Sequence, residues 1–500
     1  MKRYHISRVI LIAALSLVAV ISGCATPSPK SIPRLLDRPR ECQEFLERLD
    51  AITWDTGAKN AAHRQVPGFP YLRTNRFLSA LHDKLDSDEQ RKEWVEWMLE
   101  LDLSDRKKET LNLPNEVVLA LSQGRHVDRD KLYKHTLYCC LELLMHDQTR
   151  PDVYEKLSPF VSTPDEYVFA MRAFGLYPLV YLPVNLVTYN VRNRIQKTFQ
   201  HPLDELLVEG YLTTYSPPTD RTSLSETEIQ DMFRNSRKTS LRVPRFSDDE
   251  EKQLVEHFAP FFIQDVNAPY DMPGEVAWSV GQLIIKSEKP TVYYYVSHAF
   301  LKGEPIFQIV YVIWYTQRAG KRSPRIERGP LDGMMIRISF DSMGRPFMVD
   351  GTNGCGCYHF FAPAKDRIEK VIARPFALDP FVPQWLPEIV SGTYLGIRIN
   401  SGWHQVERLL TLAPPSDALT YKLVPYDRLE SIPKGAGLRE SMFDAKGIAR
   451  GSHRIEPYIL FSSGIPSIGS MRQRGHHAIE LTDRVHFDDP YLFDENFIFK

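Results

Sequence analysis

Cysteine is scarce, with six residues in a chain of 500. That is too few for a scaffold built from disulfides. An excess of charge of one sign is also missing. Lys+Arg is 62 and Asp+Glu is 63, so nothing in the charge argues for a nucleic-acid partner. Several catalytic signatures are absent. There is no His-Glu-x-x-His, no Gly-x-Gly-x-x-Gly and no Cys-x-x-Cys, which speaks against zincin, Rossmann and thioredoxin-type chemistry. Gly464-Ile-Pro-Ser-Ile-Gly469-Ser470 has the outer spacing of a phosphate loop but lacks its Lys, and Met471 follows. The same stretch fails as a nucleophile elbow, because Ile465 and Pro466 precede Ser467. The remaining composition is that of an ordinary folded protein, 43% hydrophobic and 25% charged. It excludes wholesale disorder and a polytopic membrane protein. The length allows two or three domains, or one large one.

The amino terminus carries the strongest pattern. Lys2, Arg3 and Arg8 form a basic head without acids, and Val9 to Ile21 is apolar apart from Ser16. Ser22, Gly23 and Cys24 follow. A basic head, a short apolar core and small residues make a secretory signal peptide. The apolar core is shorter than the roughly 20 residues a spanning helix needs. Ile21-Ser22-Gly23-Cys24 resembles the lipobox of bacterial lipoproteins. The resemblance implies cleavage before Cys24, a diacylglyceryl group on its sulfur and a further fatty acyl chain such as palmitate on the new amino terminus. The partner it implies is the lipid bilayer, since stable anchoring takes two or more chains. Ala25 stands where an Asp would retain such a protein in the inner membrane. The implied location is therefore the outer membrane, with the body facing the periplasm.

Along the chain we expect an α+β protein. Residues 1–23 are the signal peptide and 24–40 an acylated, proline-containing tether. Residues 41–215 form a helical domain, 216–250 a linker, and 251–500 a mainly antiparallel β-rich domain. Ser87-x-x-Gln90 and Ser247-x-x-Glu250 are capping boxes, and a helix starts near Asp128. Met335–Phe340 and Pro346–Val349 read as a hairpin, and Leu419–Val424 and Tyr458–Phe461 as later strands. Phe174–Val187 is the most apolar stretch of the mature chain. It is expected to be buried core, with Pro178 and Pro183 breaking any long helix. A surface resting on the membrane through Tyr177 and Tyr181 is the alternative.

One constellation carries metal chemistry. Cys355, Cys357 and His359 are spaced two apart on a Gly-rich turn. On a strand they would share one face. Thiolate and imidazole suit zinc or copper, with His476 or His477 completing the shell. Competing readings are a Cys355–Cys357 disulfide, bridges to Cys42, Cys139 or Cys140, and simple packing of small thiols. Two functions follow: a metal-binding envelope protein, or a non-catalytic interaction or scaffolding protein whose Tyr-rich strands between 291 and 315 form a binding face. The sequence does not decide whether the protein is an enzyme.

Overall fold

The computed structural model describes residues 40–121, 128–163, 165–374, 378–390 and 392–500. The signal peptide, Cys24 and nearly all of the tether lie outside them. The protein has an α+β fold, with helices concentrated in the N-terminal half and antiparallel-rich sheets in the C-terminal half.

The helical lobe is built on locally encoded signals. Ser87 and Gln90 close a reciprocal capping box at the start of the Asp88–Asn112 helix, and Asp128 caps the Arg129–Gln148 helix. Each cap satisfies amide donors that have no partner inside the helix. Trp94, Trp97 and Met98 then bury one face against Leu78, Leu143 and Leu144. A disulfide joins Cys42 to Cys139, linking two helices of this lobe. Cys140 is buried, with its thiol 3.6 Å from Asp102.

Two sheets form the second lobe. Eleven strands belong to them: β1 (Tyr211–Ser216), β2 (Phe261–Val266), β3 (Thr291–Leu301), β4 (Glu304–Arg318), β5 (Gly329–Phe340), β6 (Pro346–Asn353), β7 (Phe360–Pro363), β8 (Tyr394–Ile399), β9 (Val406–Leu412), β10 (Leu419–Thr420) and β11 (Lys422–Pro425). The large sheet has the order β7-β6-β5-β4-β3-β11 and is antiparallel except for β11 on β3. The smaller sheet has the order β9-β8-β2-β1-β10. Strand β4 is buried along nearly its whole length, as expected of a strand covered on both faces. One face packs on the Glu226–Asn235 and Asp248–His257 helices and the smaller sheet. The other is covered by the segments after Tyr426. The β5–β6 hairpin pairs as expected, Val349 opposite Ile338.

The structure differs from expectation in four places. Strand β1, inside the expected helical domain, pairs with β2 of the β-rich part. Within 216–250, the Glu226–Asn235 helix buries Ile229, Met232 and Phe233. Residues Glu456–Ile459 form a short helix rather than a strand. The fourth difference is the largest. Tyr177–Gln200 is one helix of 24 residues, and much of its apolar part is exposed instead of buried. Pro178 lies in the first turn, where an amide is not needed, and Pro183 lies inside the helix. Among the described residues no helix is long and apolar enough to cross a membrane.

Candidate functional site

The expected metal ligands are not brought together. Residues 354–359 are a turn, not a strand, so the two-residue alternation that would align Cys355, Cys357 and His359 does not apply. Gly356 has φ +88°, and a Cβ there would collide with the Ala478 carbonyl. Cys355 is buried beside Cys357, whose amide lies 3.4 Å from its sulfur, and both thiols are free. The Cys357 thiol, and then the Arg318 charge, hold Cys355 down at about 7 against the opposing effect of burial. His359 is committed elsewhere: its Nε2 is 2.9 Å from Asp350, which also takes two bonds from Arg337. His476 is held by Glu166 at 2.9 Å and by the Ala61 carbonyl at 2.7 Å. His477 is buried, which pushes it down to about 3. Among the described residues no group of three or more His, Cys, Asp or Glu side chains is arranged to hold a metal ion.

Two buried clusters that the sequence did not signal are present. In the first, His404 is fully buried and stacks on Tyr315 with ring centroids 3.9 Å apart. Its Nδ1 is 2.8 Å from Asp332 and its Nε2 3.2 Å from Asp271. Burial alone would lower its pKa, yet hydrogen bonds to the two carboxylates hold it above its ordinary value. Arg318 closes the cluster with two bonds to Asp332. His404 sits on the turn between β8 and β9, and Tyr315 and Asp332 on β4 and β5. The cluster therefore ties the two sheets together.

Nearby, Glu456 is almost fully buried and its Oε2 has no hydrogen-bond partner. Burial first, then the Cys355 and Glu327 charges, push its carboxyl up to about 8. Folding thus favours the protonated form. That stability is complete below the ordinary carboxylate range and is lost as pH rises toward 8. Glu456→Gln should leave the melting temperature unchanged at pH 5. At pH 9 it should raise stability by roughly 2–4 kcal/mol. Equal effects at both pH values would show that the carboxyl ionises freely.

The second cluster joins the lobes. Arg73 is fully buried and donates to Asp102 (3.1 Å), Asp105 (3.0 Å) and both oxygens of Glu109 (2.9 Å). Beside it, Glu430 of the second lobe accepts from Asn60 (3.2 Å), Gln473 (2.8 Å) and Arg474 (3.0 Å), and pairs with Lys108 at 2.8 Å.

A cleft of about 590 Å³ opens next to this joint. Its size is that of a ligand site, within the roughly 300–1,000 Å³ usual for them. Phe77 and Trp97 of the helical lobe form one wall, and Tyr294 to His298 of β3 the other. Tyr426, Phe487 and Arg474 also line it. Arg76 and Asp488, 3.3 Å apart, reach across between the lobes. The His298 ring stands edge-on to Trp97 and its Nε2 meets the Pro244 carbonyl at 2.8 Å. Burial pushes His298 down to about 4, so it is neutral here. Glu251 is pushed up to about 7 by burial and by the neighbouring Asp248 and Asp427 carboxylates.

The backbone of β3 gives the cleft its character. Strand β11 pairs with Thr291 to Tyr294 and ends at Pro425. Beyond it, that edge of β3 has no strand partner among the described residues. At the far end the Phe300 amide donates to the Pro490 carbonyl at 2.7 Å. Backbone groups alternate in direction along a strand, so those of Val296 and His298 face the same way as the Phe300 amide. The open window, Tyr295 to Ala299, is about 17 Å long at ~3.3 Å per residue.

No family model, curated protein or solved structure matches this chain.

Proposed function

We propose that this protein is an acylated envelope lipoprotein, held at the outer membrane through Cys24 with its body in the periplasm. Its cleft acts as a non-catalytic binding site for extended polypeptide segments. The observation that carries the reading is the unpaired edge of β3 inside an aromatic-lined cleft. An extended segment adds there as a further strand, with its backbone on Val296 and His298 and its alternate side chains against Trp97, Tyr295 and Phe487. The lipobox supports the anchor. The Cys42–Cys139 disulfide fits an oxidising compartment. The Tyr-rich segment named as a binding face contributes Tyr294 and Tyr295 to the cleft, whereas Tyr311 and Tyr315 are core.

Selection from a random heptapeptide library tests the site. Binders should be recovered by the mature protein and lost by Val296→Pro. Proline removes the amide offered to the ligand and is tolerated at an edge whose N–H faces away from the sheet. A folded V296P protein that retains its binders would place the peptide elsewhere. Mass analysis of the first peptide of protein from its native host tests the anchor separately, with Cys24 acylated as the first residue.

A further inference from the structure

We infer that the Phe169–Lys197 face is a membrane-contact surface that lies on anionic phospholipid. The Tyr177–Gln200 helix packs inward by Tyr177, Val180, Tyr181 and Val184, which meet Leu460, Ser462 and Leu481. Its other side carries Leu179, Leu182 and Leu186, which are 73, 72 and 62% exposed. Their spacing of three and four places them on one stripe. Continuing that stripe by the same steps leads to Asn190, Arg194 and Lys197, all exposed. The outward side of this helix therefore passes from leucine to basic residues, the pattern of a helix lying in an interface.

Neighbouring elements extend the apolar area. Phe169 and Phe174 of the preceding helix are 81 and 79% exposed, and that helix packs on the Phe461–Ser463 turn. Tyr458, just before that turn, is 87% exposed. Single exposed apolar residues are ordinary, but a group of this extent marks a contact surface.

Charge selects lipid as the occupant. No Asp or Glu occurs between Glu166 and Asp204, whereas Arg194 and Lys197 are exposed. A surface of leucine and aromatic residues bordered by exposed cations complements an anionic headgroup layer over hydrocarbon. The chain before Arg40 favours the same occupant. A lipid on Cys24 keeps the body within roughly 55 Å of the bilayer, the fully extended length of the intervening residues. This last argument rests on the proposed anchor, whereas the exposed stripe does not.

The test uses mature chain Ala25–Lys500, which retains every described residue and carries no acyl group. It is floated with vesicles of pure phosphatidylcholine or of phosphatidylcholine with 30% phosphatidylglycerol. The protein is expected to float with the anionic vesicles. L179D/L182D/L186D should lower the bound fraction at least tenfold while keeping the wild-type circular dichroism and melting curve. R194A/K197A should weaken binding severalfold on anionic vesicles only. If the triple variant does not fold, R194A/K197A and wild-type flotation decide the matter. Wild-type protein that stays unbound, or variants that float as well as wild type, would overturn the inference. So would a wild-type dimer in sedimentation that the leucine substitutions dissolve, because a second copy would then cover the face. Acylation of Cys24 is read by mass on native protein, so either result can fail without the other.

Discussion

Arg73→Met is expected to lower the free energy of unfolding by about 3–5 kcal/mol at pH 7, the usual cost of breaking a buried ion pair by removing one partner. Asp102, Asp105 and Glu109 all bond to this one guanidinium, and all four side chains are buried. Arg106, Lys59, His63 and Lys108 share some of the negative charge. They do not reach the position that the guanidinium fills. Burial works against ionisation of Asp105 and Glu109, but the neighbouring positive charges outweigh it and hold both below the ordinary carboxylate range. Their contribution is therefore present above that range and is lost as pH falls through it. In the variant the sign reverses, because buried carboxylates that have lost the guanidinium they share gain by taking up protons. Chemical denaturation between pH 5 and 7 should show R73M gaining stability on acidification. A loss below 1 kcal/mol at pH 7 would mean that water already solvates the cluster.

Glu430→Ala should act on the joint itself. Asn60 and Lys108 from the helical lobe and Gln473 and Arg474 from the second lobe converge on this one buried carboxylate. Its removal leaves the buried Lys108, the partly buried Arg474 and two amides each with one acceptor fewer. The expected cost is again about 3–5 kcal/mol. Because Arg474 and Asp427 line the cleft next to Glu430, the walls should also lose their fixed spacing. Peptide binding should then fall more than the loss of contacts explains, since a binding-competent population reduced tenfold weakens apparent affinity tenfold. Small-angle scattering of the folded variant should report a larger radius of gyration. A variant that keeps the wild-type radius and affinity would show that the helical lobe is held by its apolar contacts alone.

Whether a feature was legible in the sequence depended on how local its cause is. The capping boxes at Ser87 and Ser247, the Asp128 cap and the β5–β6 hairpin each rest on a few adjacent residues. The charge clusters do not. Asp102, Asp105 and Glu109 form a charged helical face, which ordinarily faces water. Only Arg73, on a strand 29 to 36 residues away, makes that face a buried one. His404 stands in no motif because its partners, Asp271 and Asp332, lie 133 and 72 residues away. The Cys355–His359 spacing misled because a shared face requires a strand, and Gly356 and Tyr358 both take positive φ. The Phe174–Val187 stretch misled for another reason. An apolar run carries no signal of which partner covers it. Its two tyrosines proved to be the inward contacts, with the leucines outside. The binding face was partly legible. Tyr294 and Tyr295 were singled out by composition, but the open edge beside them depends on where β11 stops.

That open edge is best tested by residue-resolved amide exchange on β3. The Val296 and His298 amides should exchange orders of magnitude faster than those of Tyr295, Ser297 and Ala299, which face β4. They should become protected when a library-selected peptide fills the cleft. Slow exchange at Val296 and His298 in the free protein, or no change on adding the peptide, would contradict strand addition at this site.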